Sequence, residues 1–247
     1  MGLALALGAA WSFLSHRRVR GDVQFQRFLA YLGPVVIGLI GVSVLTNADI
    51  LVVKARFSSD DAGLYAAASA FARVAYFLPA AILTVIFPRT AARQARGQET
   101  DDILGRSLIV TAGFCAVLAL FYLVAGGPLV TRSFGADFSD AAGLLPLFAV
   151  EMMFLSLANV LVGFHLSRGE RLYAWIVAAG VAVQLSLLAT VPGSLRQVIL
   201  VNIGVGIGLL VAHELFVGSS LPAVRAGIRH LRDGSAGAAR RIDGTAT

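Results

Sequence analysis

The sequence predicts an all-α protein: a polytopic transmembrane helix bundle of about six full spanning helices, with one partial helix before them. Three observations carry that expectation. Hydrophobic residues make up 57% of the 247 positions and charged residues only 14%, against about 25% charged in soluble domains. Six stretches, near 33–53, 63–88, 107–131, 142–166, 172–192 and 195–217, stay apolar for longer than the ~18 residues a bilayer core demands. The short alternating segments of a β-barrel do not occur.

Taken in order, the chain opens on MGLALALGAAWSFLSHRR. Its charges follow the apolar run, the reverse of a signal peptide. About 14 apolar residues give ~21 Å of helix at 1.5 Å per residue, short of a ~30 Å hydrocarbon core. Residues 1–15 are therefore expected to be a partial transmembrane helix, the inner half of one whose outer half is missing, and the chain a fragment truncated at its N-terminus. Reading frames upstream of Met1 test that expectation. Residues 16–27 read as a cytoplasmic linker, 28–217 as a six-helix transmembrane lobe, and 218–247 as a basic cytoplasmic tail. Beyond one interfacial helix, the Gly-, Ala- and Arg-rich composition of that tail predicts disorder. The expected outward connections are 58–63, 133–143 and 192–194, and 93–106 is expected to face inward. No room remains for a soluble catalytic domain.

Charge sets the orientation. Arg17, Arg18, Arg20, Arg27, Arg89, Arg93, Arg96, Arg106, Arg168, Arg171, Arg225, Arg229, Arg232, Arg240 and Arg241 fall on one side of the predicted spans. Only Lys54, Arg56, Arg132 and Arg196 fall on the other. The positive-inside rule puts the first set, and the C-terminus, on the cytoplasmic side of the membrane. The net charge of +6 is spread over separate loops without interleaved aromatics, so no nucleic-acid partner is expected. Asp101 and Asp102 fall near a predicted helix start, where negative charge suits the dipole.

Polar residues inside hydrocarbon are functional candidates, because burying an ionisable group there costs a few kcal/mol or more. Arg73 lies ~15 Å into the helix that begins near Gly63. It shares a helical face with Tyr65, Ser69, Tyr76 and Thr84, against an apolar side of Leu64, Phe71, Val74, Leu78 and Ile82. That stripe either lines a wet cavity or pairs with a carboxylate. Pro79 on the same helix predicts a kink or hinge. Asn47 and Asp49 interrupt VLTNADILVVKARF; Asp49 either neutralises Arg73 or Arg56 or binds a proton or Na⁺, with neutralisation favoured. Glu151 lies mid-helix with Asn159 on the same side, fit for proton coupling or an interhelical hydrogen bond. His213 and Glu214, near the end of the last span, are expected to snorkel toward water.

Other signals are weaker. Cys115 reads as a small buried hydrophobe. The glycines of NIGVGIG, 202–208, follow no strand and suit close helix packing better than a phosphate loop. No cofactor or metal is expected, and no triad, metalloprotease or Walker pattern supports an enzyme.

The run LTNADILVVKARFSSDDAGLYAAASAFARVAYFLPAAILTVIFPRTA, 45–91, resembles the polysaccharide-biosynthesis flippases of the multidrug/oligosaccharidyl-lipid/polysaccharide exporter superfamily. The features that carry the resemblance are Asn47 and Asp49 before an apolar run ending in Lys54, the turn into AGLYAAA, and a long helix with Arg73 and Pro79. That helix closes on Phe87, Pro88 and Arg89. The resemblance covers about 1–217 and is most specific over 45–91. It implies two six-helix lobes around a central cavity, of which 28–217 would be the second. It further implies a lipid-linked oligosaccharide substrate, membrane lipids as surroundings, and an N-terminal lobe or polysaccharide assembly proteins as partners. Arg73, Ser69, Tyr76 and Asn47 would then line the substrate cavity, with Asp49 and Glu151 coupling or pairing charge. Two rivals are a cation-coupled drug or metabolite exporter of the same superfamily and a membrane-embedded glycan ligase or polymerase. The second normally needs large outward loops, and 133–143 offers only Asp137 and Asp140.

Overall fold

The computed structural model describes residues 22–191, 193–218 and 220–229; for 22–31, 78–80, 83 and 87 it describes the backbone alone. Every regular element among them is helical. These are α1 (Asp22–Leu45), α2 (Ala48–Arg56), α3 (Ser59–Ala95), α4 (Asp101–Phe134), a 3₁₀ stretch (Ala136–Leu144), α5 (Leu145–Ser167), α6 (Leu172–Thr190) and α7 (Leu195–Phe216). A last helix, α8, takes 220–229. The expected partial helix at 1–15 lies outside the described residues, as does the tail beyond 229.

Four helices are long and apolar enough to cross a membrane: α4, α5 with its 3₁₀ lead-in, α6 and α7. A fifth candidate is α1 with α2, which together pass the same test but bend by 40° at Thr46–Asn47. The predicted 63–88 segment falls within α3, whose 37 residues make ~55 Å of helix at 1.5 Å per residue.

Helix ends follow local chemistry more closely than the loop expectations did. Ser58 caps α3, its hydroxyl accepting from the Asp61 N–H at 3.1 Å, with Asp60 and Asp61 in the first turn. Most of the expected loop 58–63 is thus helix, because a hydroxyl cap and two carboxylates stabilise a helix start. Asp101 and Asp102 open α4 in the same way, which shortens the inward connection to 96–100. Likewise 22–27, read as linker, belong to α1.

The core is arranged around α5. It packs on α3, α4 and α7, while α1 packs on α6 and α6 on α7. Phe148, Leu155, Ala158, Leu161 and Phe164 of α5 are buried, whereas Val117, Leu120, Leu123 and Val124 of α4 are exposed. An apolar surface of that kind suits a helix facing lipid. Glycine allows a close crossing of α7 on α5: a Cβ at Gly206 would come within 2.7 Å of the Phe154 Cβ. The expectation of close packing in 202–208 therefore holds at Gly206 and not at Gly204 or Gly208, which have open space around them.

Candidate functional site: two buried polar clusters

The first cluster forms where the bend in α1–α2 meets α5. A bend leaves backbone groups without helical partners. Asn47 Nδ2 donates to the Ser43 carbonyl at 2.8 Å, and the Thr46 hydroxyl donates to the Val42 carbonyl at 2.9 Å. The Leu45 carbonyl accepts from Gln184 Nε2 of α6 at 2.9 Å. The same amide donates to Asn202 Oδ1 of α7 at 2.9 Å, and Asn202 Nδ2 donates to Glu151 Oε1 of α5 at 2.9 Å. Four helices are joined by this file, which donates outward from Gln184, to the Leu45 carbonyl on one side and through Asn202 to a carboxylate on the other.

Asp49 sits beside it in the first turn of α2, where the freed N–H groups of a helix start favour negative charge. The Tyr65 hydroxyl of α3 donates to Asp49 Oδ2 at 2.6 Å. Asp49 is 2% exposed and Glu151 0%, and the two carboxyls are near enough to influence each other electrostatically. Asp49 Oδ1, Glu151 Oε2 and Gln184 Oε1 are buried and accept no hydrogen bond from the described residues.

Several expectations change here. The neutralising ion pair favoured for Asp49 does not form. Arg56 instead donates to the Leu188 and Ala189 carbonyls at 2.9 and 2.8 Å, capping the end of α6. Arg73 influences Asp49 by charge alone, with no carboxylate oxygen within 4.0 Å among the described residues. A phenol at 2.6 Å has taken the place nearest Asp49. Glu151 does form an interhelical bond, but to Asn202 and not through Asn159.

The predicted cavity residues are dispersed. Arg73 and Tyr76 are half-buried. Ser69 is buried and donates to the carbonyl of Ala66 in its own helix at 2.9 Å, while Asn47 is spent on the bend. Thr84 also turns back on its own helix, to the Ala81 carbonyl at 2.7 Å. The backbone is helical through Pro79, and its side chain is outside what is described. Gln184 was missed, and Asn202 was passed over as part of a glycine-rich packing run. An amide alone in an apolar span was the available signal.

The second cluster lies at the arginine-rich end of α5. His165 Nε2 and His213 Nε2 of α7 are 2.8 Å apart, so one of them donates to the other. His165 Nδ1 meets the Glu170 carboxylate, and the Tyr173 ring of α6 packs on both imidazoles. Arg168 pairs with Glu170 at 2.9 Å and with Asp101 of α4 at 3.6 Å. His213 is thus buried instead of snorkelling, because a second imidazole on α5 satisfies it inside. Glu214 caps α8, accepting from Ser220 and the Leu221 N–H. Cys115 is buried as expected, with its thiol 3.6 Å from the Ala75 carbonyl.

No family model matches the chain, and neither a curated protein nor a solved structure is similar enough to match it.

Proposed function

We propose that the chain is the second lobe of a membrane flippase that moves lipid-linked oligosaccharide across the cytoplasmic membrane for surface polysaccharide synthesis. In this reading α1–α2, α3, α4, α5, α6 and α7 are six spans, with the arginine-rich ends and the C-terminus in the cytoplasm. The observation that carries it is the acid and amide cluster at a broken span: Asp49, Tyr65, Glu151, Asn202 and Gln184, buried among apolar helices. Transporters concentrate binding and coupling chemistry at discontinuous helices, and buried acids in spans mark proton and ion pathways. Glu151 Oε2 and Gln184 Oε1, buried and without a donor among the described residues, would suit a proton or a monovalent cation exchanged beside Asp49 during lobe rocking. Arg73, half-buried and with no carboxylate within 4.0 Å among the described residues, would offer its charge to the anionic pyrophosphate linkage.

The test is complementation of a strain lacking its own oligosaccharide-lipid flippase, with surface glycan as the readout. The chain is expressed with its first lobe, if one is found. Arg73→Ala should abolish export while membrane level and helix content hold. Full export by that variant removes Arg73 from the mechanism.

The acid pair equally supports a cation-coupled drug or metabolite exporter. Drug efflux driven by a Na⁺ or proton gradient, lost in Asp49→Asn and without any glycan phenotype, would decide for that reading.

A further inference from the structure

We infer that a cleft between α3 and α4 binds one anionic phospholipid, its phosphate held between Arg89 and Arg106 and an acyl chain lying on the apolar floor. The inference rests on the reading that the chain sits in a bilayer, and it is independent of transport.

The cleft measures about 700 Å³, within the ~300–1,000 Å³ of small-molecule sites. Its floor includes Ile82, Val85, Ile86 and Val110, and its mouth carries Arg89, Arg93, Asp102 and Arg106. Asp102 is neutralised by Arg93 at 2.9 Å. Arg89 and Arg106 form no ion pair or hydrogen bond among the described residues. Two unpaired guanidiniums therefore remain over a greasy slot. From Arg89 back to Ala81 the cleft follows α3 for ~12 Å at 1.5 Å per residue, enough for most of an acyl chain in a leaflet ~15 Å deep. Val85 and Val110 are each 49% exposed, so the floor is open to a chain. Phosphate is the anion that guanidinium binds most readily at a membrane surface. A free phosphate ion would use the arginines and leave the floor bare; a lipid uses both.

Native mass spectrometry of the full chain in detergent, titrated with phosphatidylglycerol, phosphatidylcholine or inorganic phosphate, tests this. Phosphatidylglycerol should bind at least tenfold more tightly than phosphatidylcholine. The double variant Arg89→Gln/Arg106→Gln should lose about tenfold for phosphatidylglycerol, and Arg132→Gln/Arg196→Gln at the opposite end should lose none. Val85→Trp, which fills the floor and keeps the arginines, gives a second readout if the double variant does not fold. It should weaken phosphatidylglycerol while leaving phosphate unchanged. Equal binding of the two lipids, undiminished binding by the arginine variant, or competition by equimolar phosphate would overturn the proposal. Release of the chain from membranes by alkaline carbonate would instead overturn the bilayer reading.

Discussion

Glu151 and His165 stand about 21 Å apart along α5, at ~1.5 Å per residue; both are buried, and their surroundings differ in kind. His165 touches Glu170, whose side chain is 40% exposed and itself paired with Arg168. That cluster reaches water within one residue and carries its own cation. Glu151 is held by one amide, that of Asn202, with Asp49 and a phenol beside it and no ion pair within 4.0 Å among the described residues. The histidine cluster is built to tie α5, α6 and α7 together at a surface. The acid cluster leaves charge and acceptor oxygens without full compensation. In a low-dielectric interior that is a costly arrangement unless occupancy or protonation can change.

The contrast can be broken most directly at Glu151. Glu151→Ala leaves the Asn202 donor unmatched and opens a cavity, an expected loss of ~2–5 kcal/mol in unfolding stability in detergent. Glu151→Gln keeps an acceptor and should stay within about 1 kcal/mol of the parent. A mild Glu151→Ala would mean that the amide file does not need its terminal acceptor. Next in size is Tyr65→Phe, expected to cost ~1.5–3 kcal/mol if its partner is ionised. The loss should shrink in an Asp49→Asn background, measured as a double-mutant cycle. At the other cluster, the cycle between His165→Phe and His213→Phe should give a coupling of ~0.6 kcal/mol, the mean for hydrogen bonds between membrane helices. A coupling there larger than that of Tyr65 with Asp49 would reverse the comparison. Arg56→Gln should cost about 1 kcal/mol or less, since one of its two carbonyl partners, on Ala189, belongs to an exposed residue while Leu188 is buried.

A separate measurement addresses the tail helix. A Cβ on Gly105 would lie 1.8 Å from the Ala223 carbonyl oxygen, so Gly105→Leu must push α8 off α4. Trypsin cleavage at Arg225 and Arg229 should then rise by roughly tenfold or more, tracking the population of the opened form, with total helix content little changed.

The long apolar segments were readable because hydrocarbon-length runs are a coarse, cumulative signal. Five of the six predicted stretches match a helix or bent pair long and apolar enough to cross a membrane, whereas 63–88 falls within α3, which is not one of them among the described residues. Asp49 and Glu151 were readable as exceptions to those runs. Their partners were not, because which of several polar groups meets a carboxylate depends on helix rotation and crossing. Position along the chain leaves both free, so Tyr65 took the role expected of an arginine. His213 was misread for the related reason that its nearness to a helix end says nothing of His165 on another helix. The bend at Thr46–Asn47 has no Gly or Pro to announce it; side chains of Thr46, Asn47 and Gln184 hold it by taking up carbonyls.

That last arrangement has a mechanical meaning. Gln184 grips the Leu45 carbonyl with the same nitrogen that serves Asn202, so α2 cannot swing into line with α1 without tugging on the acid in α5. The same two amides tie Glu151 to the bend from the other end. A crooked span is here a lever, with its fulcrum at Thr46 and its tether running through two amides to a carboxylate.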